Sequence, residues 1–480
     1  MSRIVVIGAG VGGLAAAARL AAAGHRVTVH ERAATVGGKL GCYERDGFRF
    51  DTGPSLLTLP QVFADLGLDL APVPLDPVVR HHFPDGSVLD SSSDPEVFRL
   101  RIEAAFGAAA GADWARFWAR AERIWRASWR SVLQREVTPA ALAALSWRVG
   151  DLAAIAPGRS LRSLGRRYLR DPRLRMLLDR YATYTGADPR RAPAALAAIP
   201  YAELAFGGWY LDGGLGVLAT ALLERCRSLG VEVVLSSPVD RIRATAGRAT
   251  GVRLCSGAEV PADVVVANVD ALSVYRDLLP EPARLGGLAA RSLAGFVLLL
   301  GVRGRTPQLA HHTVFFPRDY DAEFDAVFGS PGTGVRARPP SDPAVFVTRA
   351  EDPAVRPDGT EAWFVLVNAP RHGTDLGAVD WRRPGLADAY GRHILDVLAA
   401  RGLDVRDRLL FAETRTPADL ADATAAPGGA IYGTAGGLTR PANRGPLDGL
   451  FLVGGSTHPG GGLPMVTLSA KIVADGIGPA

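Results

Sequence analysis

The residues best suited to chemistry stand at the start of the chain. Gly8, Gly10, Val11, Gly12 and Gly13 form a glycine-rich turn, and Glu31 follows Gly8 by 23 positions. The spacing suits a dinucleotide. The first glycine lets the chain turn sharply, and Gly10 carries no Cβ to hold a pyrophosphate away. Gly13 allows a helix to pack close against its strand. A carboxylate ~20 residues downstream suits a ribose hydroxyl, with Arg32 beside it.

Side chains able to move a proton are sparse. Glu203 precedes the block Gly207-Gly208-Trp209-Tyr210-Leu211-Asp212-Gly213-Gly214-Leu215-Gly216. It reads as a base or positioning group, or more simply as a helix-end charge. His458 sits in a second glycine turn, Gly454-Gly455-Ser456-Thr457-His458-Pro459-Gly460-Gly461-Gly462. A redox role and a loop-holding role are both open for it, with the second favoured. His311 and His312 are neighbours in a strand-like run, so they point to opposite faces and do not suggest a metal site. Cys42, Cys226 and Cys255 make no CxxC pair, which fits a reducing compartment and argues against structural zinc. No metal is expected.

The elements that must position these residues follow from periodicity and turn chemistry. Arg3 to Ile7 is a short apolar strand, Leu14 to Ala23 an alanine-rich helix, and Val27 to His30 a second strand. This is the βαβ unit of a Rossmann-type domain. A helical pattern covers about 90–200. Helix 217–229, stopped by Gly230, leads into strands 231–235, 239–242, 251–254 and 263–267. Strands at 296–302, 313–316, 344–348 and 362–368 and a helix near 384–401 fill 275–410. A buried strand, 450–453, turns through the second glycine loop into a helix from Pro464 to about Asp475. Glycine-rich strand-to-helix turns at both ends imply one discontinuous nucleotide domain, with the middle of the chain inserted into it.

At 480 residues the chain exceeds a single core, and 48% hydrophobic content indicates a folded protein. The net charge is +5, but all but two of the 54 basic residues are arginine, scattered along the chain. That pattern reflects codon usage, and nucleic acid is not an expected partner. The excess could still favour an anionic membrane surface. The longest apolar stretch, about 293–302, is too short for a span of ~20 residues. The glycine motif begins within eight residues of the start, so no targeting segment is expected. The expected location is cytoplasmic, peripheral on the inner face of the membrane.

Five stretches together resemble the carotenoid (phytoene) desaturase family of FAD-dependent oxidoreductases. They are the N-terminal fingerprint with Gly37-Gly38-Lys39, Phe50-Asp51-Thr52-Gly53-Pro54-Ser55, the Gly207–Gly216 block, the run His311 to Tyr320 with Phe324, and Val453 to Lys471. The resemblance implies a glutathione-reductase-like flavoprotein fold of the α/β class. An FAD-binding domain would span 1–75, 205–275 and 410–480, a helical substrate or membrane subdomain 90–200, and a mixed-sheet substrate domain 275–410. It implies FAD as cofactor. Gly38 and Lys39 would lie against its phosphates, and Gly53, Pro54 and Ser55 beside the flavin. The Val239 backbone would meet the adenine. Gly454, Gly455, Leu463, Pro464, Met465 and Val466 would sit at the flavin end, where a helix N-terminus favours negative charge. Two departures stand out. Gly455 replaces the acidic residue of many amine oxidases, and Met465 replaces the glycine of many phytoene desaturases. Met465 is more similar to branches acting on hydroxylated or already desaturated chains.

The resemblance implies hydride transfer from a long hydrophobic polyene to flavin, introducing C=C bonds. A flavin oxidase or saturase acting on another polyene or lipid keeps the same fold. A flavin-free prenyl-lipid carrier is the reading from another class, and Glu31 with Gly37-Gly38-Lys39 speaks against it. On a helix, Trp114, Trp118, Trp125 and Trp129 fall within about 60°, with Arg116, Arg120, Arg123, Arg126 and Arg130 largely opposite. Core burial is favoured over an interfacial membrane helix beside a lipid entry.

Overall fold

The glycine turn leaves a strand buried on both faces, as a parallel sheet requires. In the computed structural model, which describes residues 1–138, 147–282, 288, 290–435 and 440–480, Arg3–Ile7 is the central strand of a five-stranded parallel sheet. The order across it is Leu450–Leu452, Val264–Ala267, Arg3–Ile7, Arg26–His30 and Glu232–Val234. Both ends of the chain and the segment around 232–267 therefore build one sheet. Ile4 pairs with Val27 on one side and Val264 on the other. The helix Val11–Ala22 packs on this sheet through Leu14, Leu20 and a run of fully buried alanines, whose small side chains allow close approach.

A second, seven-stranded sheet is mixed, ordered Leu409–Arg415, Ala294–Arg303, Thr360–Ala369, Val345–Arg349, His312–Phe315, Arg80–His82 and Val88–Asp90. It reaches beyond 275–410 at both ends. The strand Leu409–Arg415 pairs with Ala294–Arg303, and Arg80–His82 runs parallel to His312–Phe315. The period of two divides its side chains. Phe296, Leu298, Leu300 and Val302 join Trp363, Val365 and Val367 beneath the helix Leu386–Ala400. Val297, Leu299, Phe364 and Leu366 face the opposite way, onto a cavity.

A helical layer covers that cavity. Its helices include Pro95–Phe106, Ala108–Ser128, Leu161–Tyr168, Pro172–Arg180 and Ala198–Phe206. Asp94 caps the first of these, its carboxylate accepting from the Glu96 and Val97 N–H groups. The tryptophans of Ala108–Ser128 turn inward. Trp114 and Trp125 are buried, and Trp118 stacks on Tyr201 with centroids 4.8 Å apart. Trp129 lies against Trp125 at 4.9 Å. Arg116, Arg123, Arg126 and Arg130 are exposed. No helix among the described residues is long and apolar enough to cross a membrane.

Candidate active site

One cavity of about 1500 Å³ runs from the carboxyl ends of the parallel strands to the space between the mixed sheet and the helical layer. That position is where open α/β sheets take ligands. Its volume exceeds the ~300–1,000 Å³ of an ordinary small-molecule pocket, which leaves room for a second ligand beside a dinucleotide.

At one end stands the glycine turn. Gly8, Gly10, Val11 and Gly12 line the cavity, and the helix N-terminus there leaves its first N–H groups without intrahelical partners. Gly13 stands behind the wall: a Cβ on it would lie 2.1 Å from the Gly8 carbonyl oxygen. The reason for Gly10 differs from the sequence expectation. A Cβ there would meet Asn268 Nδ2 at 2.8 Å, so this glycine makes room for a protein side chain. Asn268 ends the strand Val264–Ala267. With its amide oriented to satisfy both groups, its oxygen accepts from the Gly10 and Gly13 N–H groups at 3.2 Å each.

Glu31 lines the same end. Its Oε2 accepts from the Ala9 N–H at 2.7 Å and its Oε1 from the Ala33 N–H at 2.8 Å. A carboxylate has about four lone-pair sites, so two remain for ribose hydroxyls. Arg32 lines the rim and donates to the Asp422 carbonyl. Val239 opens a strand and lines the cavity. The second glycine pair lies against the first glycine turn, for Gly37 bridges to Gly10 and its N–H donates to the Ala9 carbonyl at 2.9 Å. Gly38 lines the cavity, but the Lys39 amine takes another course: it donates to the Ala430 and Ile431 carbonyls at 2.9 and 2.6 Å. Burial lowers its pKa to about 8; Asp270 opposes this, while Arg291 and Arg440 add to it.

Gly53, Pro54 and Ser55 form one wall, and Gly454, Gly455, Leu463, Pro464, Met465 and Val466 another. The helix Leu463–Ile477 begins there with Pro464 in its first turn, where a missing N–H costs nothing. Met465 also packs against the core of the helical layer. Asp51, just before the first wall, ties it to the turn that opens the helix Val217–Ser228 by accepting from the Leu215 and Gly216 N–H groups at 2.7 and 2.9 Å.

The two candidates for proton chemistry both line the cavity. His458 Nε2 lies 3.1 Å from the Val132 carbonyl and 3.0 Å from that of Arg135, so the ring ties the glycine loop to the helical layer. Burial lowers its pKa. Glu203 is 2% exposed; Oε1 accepts from the Tyr181 hydroxyl at 2.8 Å, and Oε2 has no partner. Arg180, whose guanidinium lies 5.1 Å from the Tyr184 ring centroid, feels both Glu203 and Tyr320, and the Tyr184 hydroxyl stands beside Glu203 and Arg180. His311 and His312 serve structure. The His311 ring lies against Tyr210, and His312 Nε2 is 3.2 Å from the Ser55 carbonyl.

The match to the family model for flavin-containing amine oxidoreductases covers residues 11–296. The chain belongs to that family. This flavoprotein is 34% identical to a 4,4'-diapolycopene oxygenase of Methylomonas sp, over 99% of the chain and 98% of the relative. It is equally identical to a hydroxyneurosporene desaturase of Cereibacter sphaeroides (99% and 97%) and to a zeta-carotene-forming phytoene desaturase of Myxococcus xanthus (98% and 93%). Among solved structures, an oxidoreductase from Methanosarcina mazei superposes with a TM-score of 0.64 at 18% identity, covering 98% of this chain and all of that one. A putrescine oxidase variant gives 0.64 at 15%, with 99% and 98% covered. The cofactor of this flavoprotein is FAD, and the residues present fit it. The glycine turn, the free lone pairs of Glu31 and the length of the cavity suit a dinucleotide, and apolar walls remain for a substrate.

Sequence reasoning missed Arg180, Tyr184 and Tyr320 as cavity residues, and it gave the Asn268 side chain no role although the strand 263–268 was expected beneath the cofactor. A polar residue ending a buried strand was a local signal for Asn268. Arg180 ends a helix that already carries Arg173, Arg175 and Asp179, and Tyr184 lies in the turn after it, so neither gave a local signal.

Proposed function

We propose that this flavoprotein is a desaturase that introduces C=C bonds into a long carotenoid or polyisoprenoid chain. The cavity carries this reading. It joins a dinucleotide cradle to an arm walled by Val297, Leu299, Phe364, Leu366, Ile199 and Ala202, with length and apolarity suited to a polyene. The full-length relatives named as carotenoid desaturases support the same substrate class.

FAD, when bound, supplies the hydride acceptor. The protein supplies placement and dryness. Alternate residues of two strands make one wall, so the chain is held along a flat face. The helical layer closes the other side and keeps water out. Arg440 donates to the Tyr432 and Gly455 carbonyls at 2.6 and 2.9 Å and fixes the second glycine loop. Expression in hosts that accumulate hydroxylated and unhydroxylated acyclic carotenoids, followed by pigment analysis, tests the reading. Longer-wavelength polyenes together with a yellow purified protein are expected; unchanged pigments from a folded, flavin-loaded protein would overturn it.

One observation favours a second reading. A 34% identical relative is named an oxygenase, so oxidation at a chain end would fit the same site. Oxygenated pigments without new double bonds would decide for it.

The protein is further proposed to sit on the inner face of the membrane. Phe206, 36% exposed, lies 5.5 Å from Trp125, which lines the cavity. Trp147 is 87% exposed. Exposed aromatics and arginines suit an anionic lipid surface.

A further inference from the structure

Inside the apolar arm of the cavity is a polar node that the desaturase chemistry does not use. Arg180 is 7% exposed, Glu203 2% and Tyr320 6%, and all three line the cavity. Each has a buried polar atom without a hydrogen-bond partner: Arg180 Nη1, Glu203 Oε2 and the Tyr320 hydroxyl. No ion pair within 4.0 Å joins Arg180 or Glu203 to another group among the described residues. Arg180 is held by rings, 5.1 Å from the Tyr184 centroid and 5.7 Å from that of Phe346. Glu203 is held by the Tyr181 hydroxyl at 2.8 Å.

Such an arrangement is costly unless something completes it. A buried polar group left unpaired costs about 1–3 kcal/mol, and more if charged. A purely hydrocarbon chain in this arm would leave all three atoms unpaired. A hydroxyl on the chain would answer two opposite needs at once. Its O–H can be accepted by Glu203 Oε2, and its oxygen can accept from Arg180 Nη1 or Tyr320. A ketone or aldehyde has no proton for Glu203, and an amine would place a second cation beside Arg180. The match of one acceptor with two donors is that of an alcohol.

We infer that Arg180, Glu203 and Tyr320 form a recognition subsite for a hydroxyl group on the polyene, so that the substrate class is a hydroxylated acyclic polyene. The inference rests on the desaturase reading above. These residues position the substrate; they are not the groups that take the hydride.

The test uses the full-length, FAD-loaded protein with neurosporene and hydroxyneurosporene presented in the same detergent micelles. Sites built to hydrogen-bond a hydroxyl discriminate strongly against the analogue that lacks it. The expected preference in kcat/KM for hydroxyneurosporene is on the order of 100-fold or more. Glu203→Gln should cut that preference at least tenfold, chiefly through KM. Tyr320→Phe should cut it about threefold to tenfold. It removes an unpartnered hydroxyl, so its melting temperature should hold or rise. A merely structural node would lower melting temperature and leave the preference unchanged. Equal turnover of the two polyenes overturns the inference and leaves the desaturase reading standing. So does a preference that survives both substitutions, since the hydroxyl is then read elsewhere. Failure to convert or bind either polyene, with flavin in place, overturns both.

Discussion

Glu31 Oε2 accepts a hydrogen bond from the Ala9 N–H at 2.7 Å, which ties the acid that ends the second strand to the glycine turn that ends the first. The same carboxylate therefore shapes the turn and faces the cavity. Replacing it with alanine strands the Ala9 and Ala33 N–H groups and removes a ribose acceptor. Each lost buried hydrogen bond costs about 1–3 kcal/mol. Glu31→Ala should weaken FAD binding about 10- to 100-fold in a titration of the flavin-free protein followed by flavin fluorescence. An unchanged Kd would show that Glu31 serves only the turn.

Gly13 makes a sharper test of the turn. A Cβ there would overlap the Gly8 carbonyl at 2.1 Å, so Gly13→Ala must push helix and strand apart. Overpacking of this kind costs about 1–3 kcal/mol. Thermal unfolding should fall by several degrees, and flavin should be lost on gel filtration. Gly150, exposed in the helix Val149–Ile155 with nothing within 4 Å of its would-be Cβ, is the control. Gly150→Ala should be neutral or mildly stabilising.

The contrast between Gly13 and Asn268 explains which parts of the site were legible. Gly8 to Gly13 and Glu31 lie within one βαβ unit, where spacing alone fixes geometry. The strands 296–302 and 362–368 were legible too, because short continuous apolar runs name strands buried on both faces. Asn268 meets the glycine turn from 260 residues away, and Arg180 and Glu203 come together only through tertiary packing, linked by the Tyr181 hydroxyl. No local pattern encodes such meetings. The strands Arg80–His82 and Val88–Asp90 were missed for a related reason: three residues carry too little periodicity, and tertiary pairing with His312–Phe315 makes the structure.

Acid should destabilise the protein through its buried histidines. His81 is fully buried, with its Nε2 unpartnered, and burial lowers its pKa to about 3. The unfolded chain takes up that proton near pH 6.5, while the folded one does not. Stability from this group is therefore complete above pH 6.5 and is lost as pH falls toward the folded value. Asp179 and Glu323, both raised to about 7 chiefly by burial, act in the opposite sense. The variant His81→Phe isolates the histidine, since Phe316 already stacks on the ring at 6.1 Å. Between pH 7 and 4.5, wild type should lose about 2–3 kcal/mol more than this variant in urea unfolding. Parallel curves would refute the assignment.

The helix Ala108–Ser128 separates core from membrane functions by face. Trp114 is 2% exposed and packs edge-on against Phe98 at 5.1 Å, so its contribution is to the fold. Trp114→Ala should cost about 3–5 kcal/mol. The exposed arginines do little for the fold, since solvated ion pairs such as Arg126 with Glu122 are worth at most about 1 kcal/mol. Their use, if the protein sits on lipid, is attraction to anionic headgroups, worth about 1 kcal/mol each near the surface. Replacing Arg123 and Arg126 with glutamine should therefore leave the melting temperature within a few degrees. Cosedimentation with vesicles containing phosphatidylglycerol should fall at least tenfold, and raised salt should mimic the substitutions. Binding that ignores both salt and arginine would locate the membrane contact elsewhere, on the apolar surface around Phe206 and Trp147, where substitution by serine would then abolish it.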